Sequence, residues 1–84
     1  MTVCIIIERD NRIKNPDARD SIIGGRYELS WDAAREVVCS RCGWGNEIIA
    51  TGNDVGADYY EVDGSTGELL KEYFISMVRI PAPL

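Results

Sequence analysis

Two groups of residues in this chain carry side chains that could do chemistry. One is Cys39-Ser40-Arg41-Cys42-Gly43; the other is the run of acids between Asp54 and Glu72. A C-x-x-C pair followed by glycine is the knuckle that aims two thiolates at one zinc ion. Structural zinc takes four ligands, normally from two such pairs. Here the second pair is missing, the chain has no histidine, and Cys4 is the one other thiol. Disulfide exchange would need the attacking cysteine at a helix N-terminus, where the dipole lowers its pKa. The helical stripe described below puts both cysteines at the other end. The expectation is that Cys42 is a small apolar core residue and Cys39 a helix-flank residue, with no metal and no cofactor. A zinc- or thiol-dependent module built on Cys39 and Cys42 is the alternative.

The acids do not fall into a catalytic pattern. A calcium loop needs alternating acids, a central glycine and a terminal glutamate, and Asp58 to Gly64 lacks that register. The absence of histidine removes the commonest general base and every Ser–His or Cys–His pair. Gly24-Gly25 and Gly43-Trp44-Gly45 match no phosphate-loop pattern. A catalytic role is therefore not expected. What stands out is segregation of charge. Residues 1–45 hold seven acids and seven bases, whereas residues 46–72 hold seven acids against Lys71 alone, in a chain of net charge −5. Phosphate backbones need cations, so direct nucleic-acid binding is disfavoured, and a basic protein surface is the favoured partner. The residues expected to meet it are Asp54, Asp58, Tyr59, Glu61, Asp63, Glu68 and Glu72. Tyr59, Glu61 and Asp63 would share one side of a strand. Trp44, set between two glycines, is expected to be an exposed anchor.

The elements that must position these residues follow from periodicity. Thr2 to Glu8 is rich in β-branched residues and reads as a strand, with Val3, Ile5 and Ile7 on one face and Cys4 and Ile6 on the other. Apolar residues on both faces suggest an interior strand. Ser21 to Leu29 reads as a second strand, bulged or bent at Gly24-Gly25. Ser30 suits a helix N-cap. Trp31, Ala34, Val38 and Cys42 then form the apolar stripe of a helix from about Trp31 to Cys42, which Gly43 would end in the left-handed conformation. Glu47 to Thr51 and Asp58 to Val62 read as strands. After the turn Asp63-Gly64-Ser65-Thr66-Gly67, the segment 68–80 fits a strand through Tyr73, Phe74, Ile75 and Val78. It also fits a helix, because Leu69, Leu70, Tyr73, Phe74, Met77 and Val78 make a stripe and Ser65 with Glu68 has capping-box spacing. The strand is favoured because it completes a meander. The expected fold is α+β: a small, mostly antiparallel sheet with one helix packed on it, in the order β-β-α-β-β-β. Its expected core is Val3, Ile5, Ile7, Leu29, Ala34, Val38, Tyr60 and Val62, with Trp31 beside it.

With 84 residues, the expectation is one domain over 1–84, with 81–84 as an extended tail. The longest apolar run, Val3 to Ile7, is far short of a membrane span, which needs about 18 residues. It lacks the flanks of a signal peptide. An odd cysteine count fits a reducing compartment. A cytoplasmic protein that binds neither membrane nor nucleic acid is expected. In size, acidity, lack of catalytic residues and strand–helix–strand organisation, the whole chain resembles the small phage-encoded anti-CRISPR inhibitors, a group with no shared motif. The resemblance implies a stoichiometric inhibitor that presents acids, here Asp54, Asp58, Glu61, Asp63, Glu68 and Glu72, to a basic channel or subunit surface of a CRISPR effector.

Overall fold

A computed structural model describes residues 2–27, 31–51, 56–79 and 81. Five strands form one antiparallel sheet: β1 (Thr2–Asp10), β2 (Asp20–Tyr27), β3 (Asn46–Ala50), β4 (Tyr59–Asp63) and β5 (Leu69–Arg79), in the spatial order β2-β1-β5-β4-β3. One helix, α1 (Trp31–Ser40), lies between β2 and β3 in the chain. The expected order β-β-α-β-β-β is corrected to β-3-10-β-α-β-β-β, in a structure that is mostly sheet. A 3-10 turn at Pro16–Ala18 stands between the first two strands, capped by the Asn15 side chain, which accepts from the Asp17 amide. Among the described residues the sheet is antiparallel throughout and dominates the structure, and the single helix is short. The helical alternative for the last element is overturned as well. Residues 71–79 of β5 pair with β1 along nine consecutive positions, and a ladder of that length outweighs an amphipathic stripe with nothing to pack against.

Local chemistry explains the connections. The Asp63 carboxylate accepts from the amides of Ser65 and Thr66 and from the Ser65 hydroxyl, and Gly67 supplies a positive φ of 73°, closing the β4–β5 hairpin. These bonds favour the charged form and hold the Asp63 carboxyl down to about 2. The β1–β2 pairing shifts register between Ile6 and Ile7, leaving Ile23 as the extra residue beside Gly24, where a bulge was expected. Helix α1 stops at Ser40, short of Cys42, and Gly43 does not take the left-handed conformation; the positive φ falls on Gly45. The Ser30 cap, Leu29, Asp54 and most of the 81–84 tail lie outside the described residues.

The helix covers one face of the sheet. Ala34 and Val38 project from it, as its stripe predicts, onto Cys4, Ile6, Tyr73 and Ile75. The expected strand phases are therefore corrected. In β1 the core face is Cys4, Ile6 and Glu8, not Val3, Ile5 and Ile7; in β4 it is Tyr59 and Glu61, not Tyr60 and Val62. Trp31 is not core either, being 55% exposed. Val3, Ile5, Ile7, Tyr60, Val62 and Phe74 occupy the opposite face, and each is half-buried among its sheet neighbours.

Candidate functional site

Trp44 is fully exposed, the largest apolar side chain displayed to solvent among the described residues. It sits in the loop from α1 to β3, and that loop is anchored from two sides. The Gly43 amide donates to Glu61 Oε2 at 3.2 Å, and the Asn46 side-chain amide donates to the same oxygen at 2.8 Å. On the other side the β4–β5 hairpin presses against the loop. A methyl group on Gly64 would fall 1.9 Å from the Gly45 carbonyl oxygen, so only a glycine permits this approach. At Gly43 an added carbon would lie 2.8 Å from the Asn46 amide nitrogen. The glycines on either side of Trp44 thus fix its backbone rather than loosen it.

Beneath this loop lies a buried polar network that sequence reasoning missed. Glu61, 1% exposed, accepts additionally from the Tyr73 hydroxyl at 3.3 Å, and Lys71 Nζ stands 3.9 Å from it. Glu8, also buried, receives a two-point contact from Arg41 with both distances 3.0 Å, and Lys71 lies 3.7 Å away. The Arg41 guanidinium pulls the Glu8 carboxyl below its ordinary range, while burial pushes the Tyr73 phenol well up. Paired carboxylates around a lysine and a tyrosine could in principle move protons, but these oxygens are occupied by fixed donors and face the helix. The network joins the C-terminal end of α1 to the centre of the sheet and holds the Trp44 loop. The signal for it was Glu8 itself, a charge on the same face as Cys4 and Ile6 of an interior strand.

The expected site residues divide. Trp44, Asp63 and Glu68 come together at one end of the sheet: Asn46 pairs with Asp63, and the Asp63 amide donates to the Glu68 carbonyl. Glu47, exposed on the edge strand β3, is at the same end of the sheet, on the face away from α1. Asp63 is committed to its turn, so the free acids there are Glu47 and Glu68. Glu61 is corrected from docking acid to buried support. Tyr59, Glu61 and Asp63 do share a side, but it is the side that α1 covers. Asp58 and Tyr59 lie at the opposite end, lining a shallow pocket with Trp31, Ala50 and Thr51. There Asp58 accepts from the Ile75 amide at 2.7 Å. Glu72, on the sheet face away from the helix, accepts from the Asn11 side chain at 3.0 Å.

The cysteines stay apart in role. Cys4 is buried in the core, Cys39 is exposed, and Cys42 is half-buried with its thiol donating to the Asn46 carbonyl at 3.4 Å. Burial raises the Cys42 pKa, which works against a thiolate nucleophile. Among the described residues no group of three or more metal-ligating side chains comes together, and no helix is long and apolar enough to cross a membrane. Comparison with known protein families, characterised proteins and solved structures gives no match.

Proposed function

We propose that the chain is a small non-catalytic binding protein, a stoichiometric inhibitor that docks on a basic, nucleic-acid-binding surface of a partner protein in the cytoplasm. This is the habit of the phage anti-CRISPR proteins it resembles, and a CRISPR effector subunit is the partner of choice. The observation that carries the reading is Trp44, fully exposed yet held on a loop fixed by Glu61 and Gly64. Large aromatic side chains dominate binding energy when buried at the centre of an interface, and a pre-positioned one costs little ordering entropy. Glu47 and Glu68 are exposed acids at the same end of the sheet, suited to steering a basic surface into register and to weakening binding as salt rises. The reading no longer uses Glu61, whose carboxylate is spent inside the fold.

The test is binding of the purified chain to CRISPR effector complexes, followed by titration calorimetry at low and high salt. Trp44→Ala should weaken affinity about 30-fold or more, equivalent to roughly 2 kcal/mol. Glu47→Lys/Glu68→Lys should weaken it chiefly at low salt. Asp17→Lys/Asp20→Lys, in the charge-balanced half, should do much less. Equal effects from the two charge pairs, together with an inert Trp44→Ala, would refute the reading.

A further inference from the structure

A shallow pocket of about 240 Å³ opens beside the N-terminal end of α1, lined by Trp31, Ala50, Thr51, Asp58 and Tyr59. Its acidic wall is held in place by the backbone. The Thr51 hydroxyl donates to the Ala57 carbonyl, the Thr51 amide donates to the Asp58 carbonyl at 3.0 Å, and the Asp58 amide donates to the Tyr73 carbonyl at 2.8 Å. The Asp58 carboxylate accepts from the Ile75 amide through Oδ2 at 2.7 Å. Among the described residues Oδ1 has no donor, and no cation pairs with this carboxylate. Tyr59 packs in part against the core cluster, and Trp31 stands three residues before buried Ala34. The pocket therefore combines two aromatic side chains with one carboxylate oxygen that the fold leaves unused.

That lining selects a cation. Aromatic rings carry negative faces, and a guanidinium or ammonium group over them is attracted electrostatically. Among the described residues Asp58 is the one charged group in the lining, so an anion is repelled. The N-terminus of α1 favours an anion, but Asp32 in its first turn offsets it. The volume lies below the roughly 300–1,000 Å³ of small-molecule and cofactor sites and suits a single side chain. A planar guanidinium stacks on a ring while its N–H groups reach a carboxylate, whereas an ammonium is a compact, strongly hydrated point charge. The five residues of β3 separate the pocket from the Trp44 loop, a distance of about 17 Å at about 3.4 Å per residue. A standard interface, at about 800 Å² per partner, is roughly 30 Å across, so one basic partner reaches both ends.

We propose that this pocket receives an arginine side chain of the partner, with the guanidinium against the Trp31 and Tyr59 rings and donating to Asp58 Oδ1. The partner's basic character rests on the function proposed above; the pocket adds a second anchor at the far end of β3 from Trp44. Asp58 and Tyr59 then meet the partner through one buried contact, apart from the steering acids Glu47 and Glu68.

Titration of the full chain with N-acetyl-arginine amide at constant ionic strength, followed by proton–nitrogen NMR, tests the pocket without the partner. The Trp31 indole N–H and the Thr51 amide should shift saturably, with a dissociation constant on the order of 10 mM, and the Trp44 indole N–H should stay in place. The citrulline analogue, which keeps the shape and loses the charge, should bind about 10-fold more weakly. Asp58→Asn keeps an oxygen for the Ile75 amide but removes the charge, and should weaken arginine binding about 5-fold or more. Should that variant fail to fold, Trp31→Leu, at a position 55% exposed, should weaken binding to a similar degree, read at the Thr51 amide. Absence of a saturable shift up to about 100 mM overturns the proposal. So does citrulline binding as tightly as arginine, a folded Asp58→Asn or Trp31→Leu variant that binds like wild type, or a Trp44 indole that titrates together with Trp31. Each of these outcomes leaves docking through Trp44 standing, because Trp44→Ala against the effector complex tests that separately. An effector complex that ignores a chain still able to bind arginine refutes the docking reading and leaves the pocket a guanidinium site.

Discussion

Replacing Glu61 with alanine is the sharpest test of the buried network. The substitution removes a carboxylate that accepts from the Gly43 amide, the Asn46 side chain and the Tyr73 hydroxyl, and leaves Lys71 with Glu8 as its remaining close acid. Hydrogen bonds to a charged group are each worth about 1.5–3 kcal/mol, and they do not simply add. Removing one partner of a buried ionic pair typically costs about 3–5 kcal/mol. We take about 3–5 kcal/mol as the expected loss, because the Gly43 and Asn46 donors lie near the surface and water can replace part of their bonding. For 84 residues the whole stability is on the order of 4–13 kcal/mol, so the variant should lose a large share of it and its urea midpoint should fall accordingly. Urea denaturation followed by circular dichroism reads the global loss, and hydrogen exchange at the Gly43 amide reads the release of the loop. Glu68→Ala, an exposed acid of the same acidic half, should change stability by less than about 0.5 kcal/mol. If Glu61→Ala also falls within about 0.5 kcal/mol of wild type, the carboxylate is solvated and the burial argument fails.

Gly64→Ala should destabilise the protein by about 1–3 kcal/mol, since its new carbon meets the Gly45 backbone and cannot be relieved by a rotamer change. Exchange of the Gly43 amide, which donates to Glu61, should quicken as the loop is pushed aside, whereas Gly67→Ala, strained at positive φ but in open space, should cost about 1–2 kcal/mol and leave that signal alone. Acid titration should show stability falling below about pH 4.5. The Glu8 carboxyl is held low by Arg41 and the Asp63 carboxyl by its turn, to about 2. Their contributions are therefore complete above the unfolded values and are lost as pH falls through the folded ones. Arg41→Met should flatten the upper part of that acid limb, measured as urea midpoint against pH, and an unchanged limb would remove Glu8 from the account.

Much of the fold was legible because it rests on local chemistry. The strand at 2–8 follows from β-branched residues, the hairpin from Asp63 and Gly67, and the helical face from the spacing of Ala34 and Val38. The phases of β1 and β4 were not legible. In β1 both faces are apolar, so alternation selects neither, and in β4 the usual rule sends a glutamate outward. That rule fails for Glu61 because donors from two other parts of the chain, Gly43 and Asn46 after α1 and Tyr73 on β5, converge on it. No local pattern announces such a convergence.

For the candidate site the same division holds. The exposure of Trp44 could be read from its two glycines, since such a tripeptide has no neighbouring side chains to bury an indole. The grouping of acids into one docking face could not, because a run in sequence is not a patch in space. Folding sends Asp58 to one end of the sheet, Glu72 to the open face, Glu61 inward and Asp63 into a turn, leaving Glu68 beside Trp44. Residue types and short spacings by themselves determined most of the strands, the helix and the turns, because those preferences act over a few neighbouring residues; at 69–79, where both patterns fit, pairing with β1 chose the strand. Which face of each strand is covered, and which charges are left free, was decided by the tertiary structure alone, because both depend on partners brought from distant parts of the chain.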